Sequence, residues 1–166
     1  MTNILVVLAP EKFQDDEFFI PKHILESAKI KITTTSLEKL AESTGEKIIK
    51  IDVLLTDVKS EDYDAILLVG GPGAVTYIDN PTIHKLINDF NNEKKLISAI
   101  CISPATLARA GVLINKQATI WNGKKEIFKE TDVEFVDEPV VIDENIITAN
   151  GPEAAEEFAK AIIDFI

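Results

Sequence analysis

The stretch LISAICISPATLARAGVL, residues 96–113, decides the fold. It begins as an unbroken apolar run of strand length, 96–100, as expected of a strand covered on both faces. It continues as a helix over 104–110, closed by Gly111, a residue that ends a helix in the left-handed region without a Cβ penalty. A strand that passes at once into a helix belongs to a layered α/β sheet with parallel strands. Cys101, the only cysteine of the chain, stands at the junction. A nucleophile there takes a strained turn that lifts its side chain off the sheet edge, and the residues two positions away must be small. Here they are Ala99 and Ser103. The N–H groups opening the next helix would favour a thiolate. A buried cysteine that merely ends a strand is the alternative.

Working outward, the same alternation recurs. NILVVLA (3–9), KIKITTT (29–35) and YDAILLVGG (63–71) read as strands, with a helix over 19–28 that has Pro21 near its first turn. The segment 36–61 carries an alternating EKIIKIDVLL and reads as a strand or hairpin excursion from the main sheet. Asn80-Pro81 opens a helix to about 91 with Ile83, Leu86, Ile87 and Phe90 on one face. QATIW (117–121) reads as a strand, 124–130 as a short helix, and PVVID and NIITA as two strands joined through Asp143-Glu144. The last sixteen residues, GPEAAEEFAKAIIDFI, form an amphipathic helix with Pro152 at its start and Phe158, Ile162 and Phe165 on one face. With 166 residues, no repeat and no linker, one domain over 1–166 is expected.

Composition excludes several function classes. The formal net charge of −11 leaves no basic patch for nucleic acid and disfavours anionic membrane surfaces. One cysteine and two distant histidines give neither a disulfide framework nor a metal site. The amino terminus lacks a charged region before its short apolar run, so no signal sequence is read, and no stretch has the length of a membrane span. A cytoplasmic protein is the expectation.

Two further segments carry chemistry. GGPGA, residues 70–74, follows an apolar strand, where glycines let backbone N–H groups face a ligand as in an oxyanion hole; a tight turn is the simpler reading. Thr76 stands where a dinucleotide fingerprint needs glycine, and no Walker lysine follows. In QDDEFFIP, Asp15 and Asp16 read as a solvated helix start. Glu17 differs if it folds inward. As a carboxylate it would repel a thiolate; kept protonated by neighbours such as Phe18 it would donate a hydrogen bond to sulfur.

VVLAPEKFQDDEFFIP, DYDAILLVGGPGA, AICISPATLARAGVL and NIITANGPEAAEEFAKAI, in this order, resemble the DJ-1/PfpI family over essentially the whole chain. The resemblance implies a flavodoxin-like three-layer sandwich with Cys101 on a nucleophile elbow. It implies that Glu17 hydrogen-bonds Cys101 and that Gly71 and the N–H of Ile102 form an oxyanion-hole-like pair. Gly70, Trp121 and Pro104 would shape the pocket. A homodimer or larger homo-oligomer is implied, and no cofactor. Departures matter too. The peptidase-like branch has a histidine after the cysteine and a glutamate after the paired glycines; here these are Ile102 and Val75. The DJ-1-like branch draws a histidine from a later strand, where Trp121 now falls, as a pocket wall or a core aromatic. His23 and His84 read as surface or boundary residues, and Arg109 as a solvated helix residue.

Three function classes follow. One is a cysteine-dependent enzyme acting on small reactive carbonyls or their adducts, glyoxalase- or deglycase-like, with Cys101 as nucleophile and Glu17 as general acid/base. Another is an oxidation-responsive or redox-regulated chaperone-like protein, its partner an oxidant. The third is a PfpI-type intracellular cysteine peptidase, disfavoured because no base stands beside Cys101 to protonate a leaving amine.

Overall fold

The unbroken apolar runs become the middle of a seven-stranded sheet. A computed structural model of the chain describes residues 1–166. In chain order the strands are β1 (Asn3–Val7), β2 (Lys31–Ser36), β3 (Leu40–Glu42), β4 (Ile48–Lys50), β5 (Val53–Leu54) and β6 (Ala65–Leu68). They continue with β7 (Leu96–Ile100), β8 (Gln117–Ala118), β9 (Glu134–Phe135), β10 (Val140–Asp143) and β11 (Ile146–Ala149). The helices are α1 (Asp15–Ser27), α2 (Pro81–Asn92), α3 (Pro104–Arg109), α4 (Glu126–Glu130) and α5 (Ala155–Phe165). The main sheet runs β10-β11-β7-β6-β1-β2-β5, parallel throughout except for β10 against β11.

This order explains the layers. From β1 the chain crosses through α1 to β2 on one side, and from β6 through α2 to β7 on the other. Right-handed crossovers in opposite directions put α1 and α2 on opposite faces. α1 packs against α5 on its face, and α2 against α3 on the other. β1, β6 and β7 are therefore covered on both sides, and Ile4, Leu5, Ile66, Ile97 and Ile100 have essentially no exposure. Forty-five buried residues form one continuous hydrophobic cluster, so no boundary divides the core. The three-layer, mostly parallel sandwich expected from the sequence is the observed fold. Strand order reverses between β1 and β6, and open α/β sheets bind ligands at the carboxyl ends beside such a reversal.

Some elements differ from the reading of the sequence. α1 starts at Asp15 rather than 19, because the Gln14 side chain accepts a hydrogen bond from the Glu17 N–H (3.0 Å) and caps the helix. Pro21 thus lies inside the helix, where it denies the Glu17 carbonyl its helical donor. In 36–61 the excursion is the antiparallel hairpin β3–β4, while β5 returns to pair with β2 at the sheet edge. Of QATIW only Gln117 and Ala118 are strand, and they pair with β9 away from the main sheet. Thr119 instead donates its N–H to Thr148 Oγ1 (2.9 Å), a side-chain link to β11 that ends the ladder. Pro152–Ala154 form a 3-10 turn ahead of α5. Phe158 and Ile162 are buried, but Phe165, in the final turn, is 43% exposed.

Candidate active site

Three strand ends meet at the reversal: the β1–α1 loop, the glycines after β6 and the turn after β7. The first two approach closely. The Gln14 N–H donates to the Gly70 carbonyl (3.1 Å), and Gly71 has φ +102° with its missing Cβ position 2.5 Å from the Gln14 nitrogen. Any side chain at Gly71 would be strained and would collide with that backbone. A Cβ at Gly70 would lie 2.4 Å from Glu17 Oε2 and 2.7 Å from Cys101 Cβ. Glycine there lets the carboxyl and the cysteine occupy one space.

Cys101 has φ +63°, a left-handed conformation uncommon for any residue but glycine, asparagine or aspartate. Its neighbours hold it. The Cys101 N–H donates to the Ala149 carbonyl (2.9 Å), its own carbonyl accepts from the Trp121 N–H (2.8 Å), and the Ser103 hydroxyl donates to the Val69 carbonyl (2.8 Å). A strained conformation braced from three separate segments is the kind found at functional sites. The helix dipole contributes less than the sequence suggests. α3 has only six residues, begins three residues beyond Cys101, and its first residue, Pro104, has no N–H.

Glu17 is fully buried. Its Oε2 accepts the Gly70 N–H (2.9 Å), while Oε1 has no hydrogen-bond partner. Burial raises its pKa to about 7, against which the thiol and the Gly70 N–H act, with a small upward push from Asp16. Burial also pushes the Cys101 thiol up, to about 12 with an ionised Glu17 beside it, partly offset by the Gly71 and Ile102 N–H groups that face the sulfur. Both groups cannot be anionic near neutrality. The pair gives up one proton near pH 7 and holds the other. The retained proton joins the two groups from either side: on sulfur it is donated to the carboxylate, and on the carboxyl it is donated to the sulfur, whose charge then meets two amides.

Above the pair opens a cleft of about 420 Å³. Of the residues singled out in the sequence, Cys101, Glu17, Gly71, Ile102 and Trp121 line it together. Gly70 lies behind it as the donor to Glu17. Pro104 does not line it, being buried at the start of α3. Trp121 is 48% exposed, so it is a cleft wall and not a core aromatic. Neither histidine lines the cleft; His23 is exposed on α1, and His84 Nε2 bonds the Ile78 carbonyl (2.7 Å). Arg109 is held by Asp79 and Glu130, and Asp15 by Thr44 Oγ1, the Gly45 N–H and Lys47. The sequence reading missed Gln14, Pro72, Lys124 and Pro152 as cleft residues. For Gln14 the signal was the polar residue directly before three acids; Lys124 carried none.

Known proteins resemble this chain along nearly its whole length. A relative from Methanocaldococcus jannaschii, itself uncharacterized, is 37% identical over 99% of this chain and 82% of its own length. The glutathione-independent glyoxalase DJR-1.2 of Caenorhabditis elegans is 30% identical over 98% of this chain and 87% of its own. The crystal structure of a ThiJ/PfpI domain protein from Brachyspira murdochii superposes with a TM-score of 0.95 at 31% identity, covering 98% of this chain and 94% of that one. The model of the DJ-1/PfpI family matches residues 2–165. From the β1 loop to the last helix, the chain belongs to the DJ-1/PfpI family.

Proposed function

We propose that the protein is a cysteine-dependent enzyme acting on small reactive carbonyl compounds, with Cys101 as nucleophile and Glu17 as proton carrier. The observation that carries this reading is the strained cysteine facing a buried carboxyl whose pKa lies near neutrality, under an open cleft. A general acid/base works best when its pKa is close to the working pH. The Cys101 thiolate adds to the aldehyde carbon of an α-oxoaldehyde, and Glu17 gives its proton to the developing alkoxide, forming a hemithioacetal. The Glu17 carboxylate then removes the proton from the former aldehyde carbon and returns it to the adjacent carbon, while the hydroxyl proton passes to the oxygen of the adjacent carbonyl, leaving a 2-hydroxy thioester. Water hydrolyses the thioester to a 2-hydroxy acid and restores the thiol. The Gly71 and Ile102 N–H groups are the donors available for developing negative charge. The family relationship to a glyoxalase supports the substrate class.

The test is consumption of methylglyoxal with formation of lactate. Wild type is expected to turn over slowly, since no histidine assists, and Cys101→Ala to lose all product. Glu17→Gln should lose at least about 100-fold in kcat, the usual contribution of a positioned proton donor. Turnover unaffected by Cys101→Ala would overturn the reading.

A second reading is favoured by the amides around the sulfur, which also suit a sulfinate. Peroxide would transfer oxygen to the Cys101 thiolate, releasing water and leaving sulfenic and then sulfinic acid. Mass addition at Cys101 without carbonyl turnover would favour this sensor role.

A further inference from the structure

Lys124 is the only cation lining the Cys101 cleft, and apart from Glu17 and Cys101 no other ionisable side chain faces it. The turn Asn122–Lys124 fixes its backbone, with the Lys124 N–H donating to the Trp121 carbonyl (2.9 Å). Its ammonium enters no ion pair and no side-chain hydrogen bond. The acids around it have other partners: Glu130 and Asp79 are held by Arg109 (2.9 and 3.6 Å), and Glu126 by Lys129 (2.9 Å). Other lysines of the chain are unpaired too, but Lys124 is the one that stands beside the mostly apolar Cys101 cleft. Trp121, Val75 and Pro152 give that cleft its apolar walls, which exclude water from one side of any charge placed there.

We propose that Lys124 selects carbonyl substrates carrying a carboxylate, the ammonium receiving the carboxylate while Cys101 meets the carbonyl carbon. This deepens the carbonyl-enzyme reading and rests on it for the reaction, but the charge selection is a property of the cleft and is measurable without turnover. Small 2-oxo acids and aldehyde acids such as glyoxylate have the required chemistry. Neutral dicarbonyls would gain nothing from Lys124.

The experiment compares alkylation of Cys101 by iodoacetate and by iodoacetamide. In both, the sulfur displaces iodide from the CH2 carbon and gives up its proton, gaining a carboxymethyl group from one and a carbamoylmethyl group from the other, and the reagents differ in charge. In Lys124→Met the iodoacetate-to-iodoacetamide rate ratio should fall about two- to five-fold, the range of one partly solvated ion pair. In Lys124→Glu it should fall further, and salt, which also screens the net charge of −11, should narrow the difference in ratio between wild type and Lys124→Met. A ratio unaffected by either substitution overturns the proposal. So does an equal fall in both rates, which would mean that Lys124 acts on the thiol and not on the incoming group. An independent readout needs no thiol chemistry: iodide should quench the fluorescence of Trp121, the only tryptophan, less efficiently in Lys124→Met, while acrylamide quenching stays constant. Failure of the carbonyl-enzyme reading appears separately, as absent methylglyoxal and glyoxylate turnover with the charge selection intact.

Discussion

A fully buried glutamate with a pKa near 7 places two opposed demands on this protein. Its value in the unfolded chain is about 4.5, so folding favours the protonated form. The stabilisation is complete below about 4.5, declines as pH rises through the interval, and is gone above about 7. The shift corresponds to about 3 kcal/mol. Glu17→Gln should therefore melt higher than wild type at pH 8, with the difference closing toward pH 5; a constant difference across that range would mean that the carboxyl is not titrating in the interior. The sulfur offers a second measurement. If Oε1 carries the retained proton and serves the sulfur, the inflection in Cys101 alkylation lies near 7 and moves up in Glu17→Leu, which removes the donor. A downward move would put an ionised carboxylate beside a neutral thiol.

At the scale of elements, α5 shows how packing fixes the site from a distance. It rests on α1, which carries Glu17, on β7, which leads directly into Cys101, and on β11, which carries the carbonyl of Ala149. Phe158 is its largest fully buried side chain. Phe158→Ala should cost about 3–5 kcal/mol in urea unfolding, with the slope unchanged. The pattern at Phe158 and Ile162 was legible because a 3.6-residue period states which face is buried, and the runs at 3–7, 65–68 and 96–100 were legible because strands covered twice have no polar face to show. The start of α1 was not, since the Gln14 cap is a side-chain geometry and the Pro21 signal pointed to a later start. QATIW read as a full strand because it is apolar and β-branched, yet its third residue bonds a threonine side chain across the molecule. The Glu17–Cys101 pair was readable only through four separated landmarks in order; that Lys124 joins them follows from how the turn at 122–124 folds over the cleft, which no local pattern encodes.

For the molecule as a whole, the −11 net charge has a plain consequence. Unbalanced like charges repel within the compact state. Raising salt from about 10 mM to about 150 mM, which shortens the screening length to about 8 Å, should raise the melting temperature by a few degrees. A fall would mean that the surface ion pairs outweigh the repulsion. The same scale bears on the ends of the sheet. One edge is β5, two residues long; the other is β10, which follows Asp137, Glu138 and Pro139 and ends on Asp143. Joining another chain by strand addition takes a row of free amides, and a two-residue edge or one bordered by proline and acids gives it little purchase. The sequences most prone to cross-β stacking, at 3–9 and 65–69, lie in the middle of the sheet with both neighbours already paired. Fibril growth from this protein would thus have to wait for global opening, making its resistance to amyloid a matter of folding stability and not of surface chemistry.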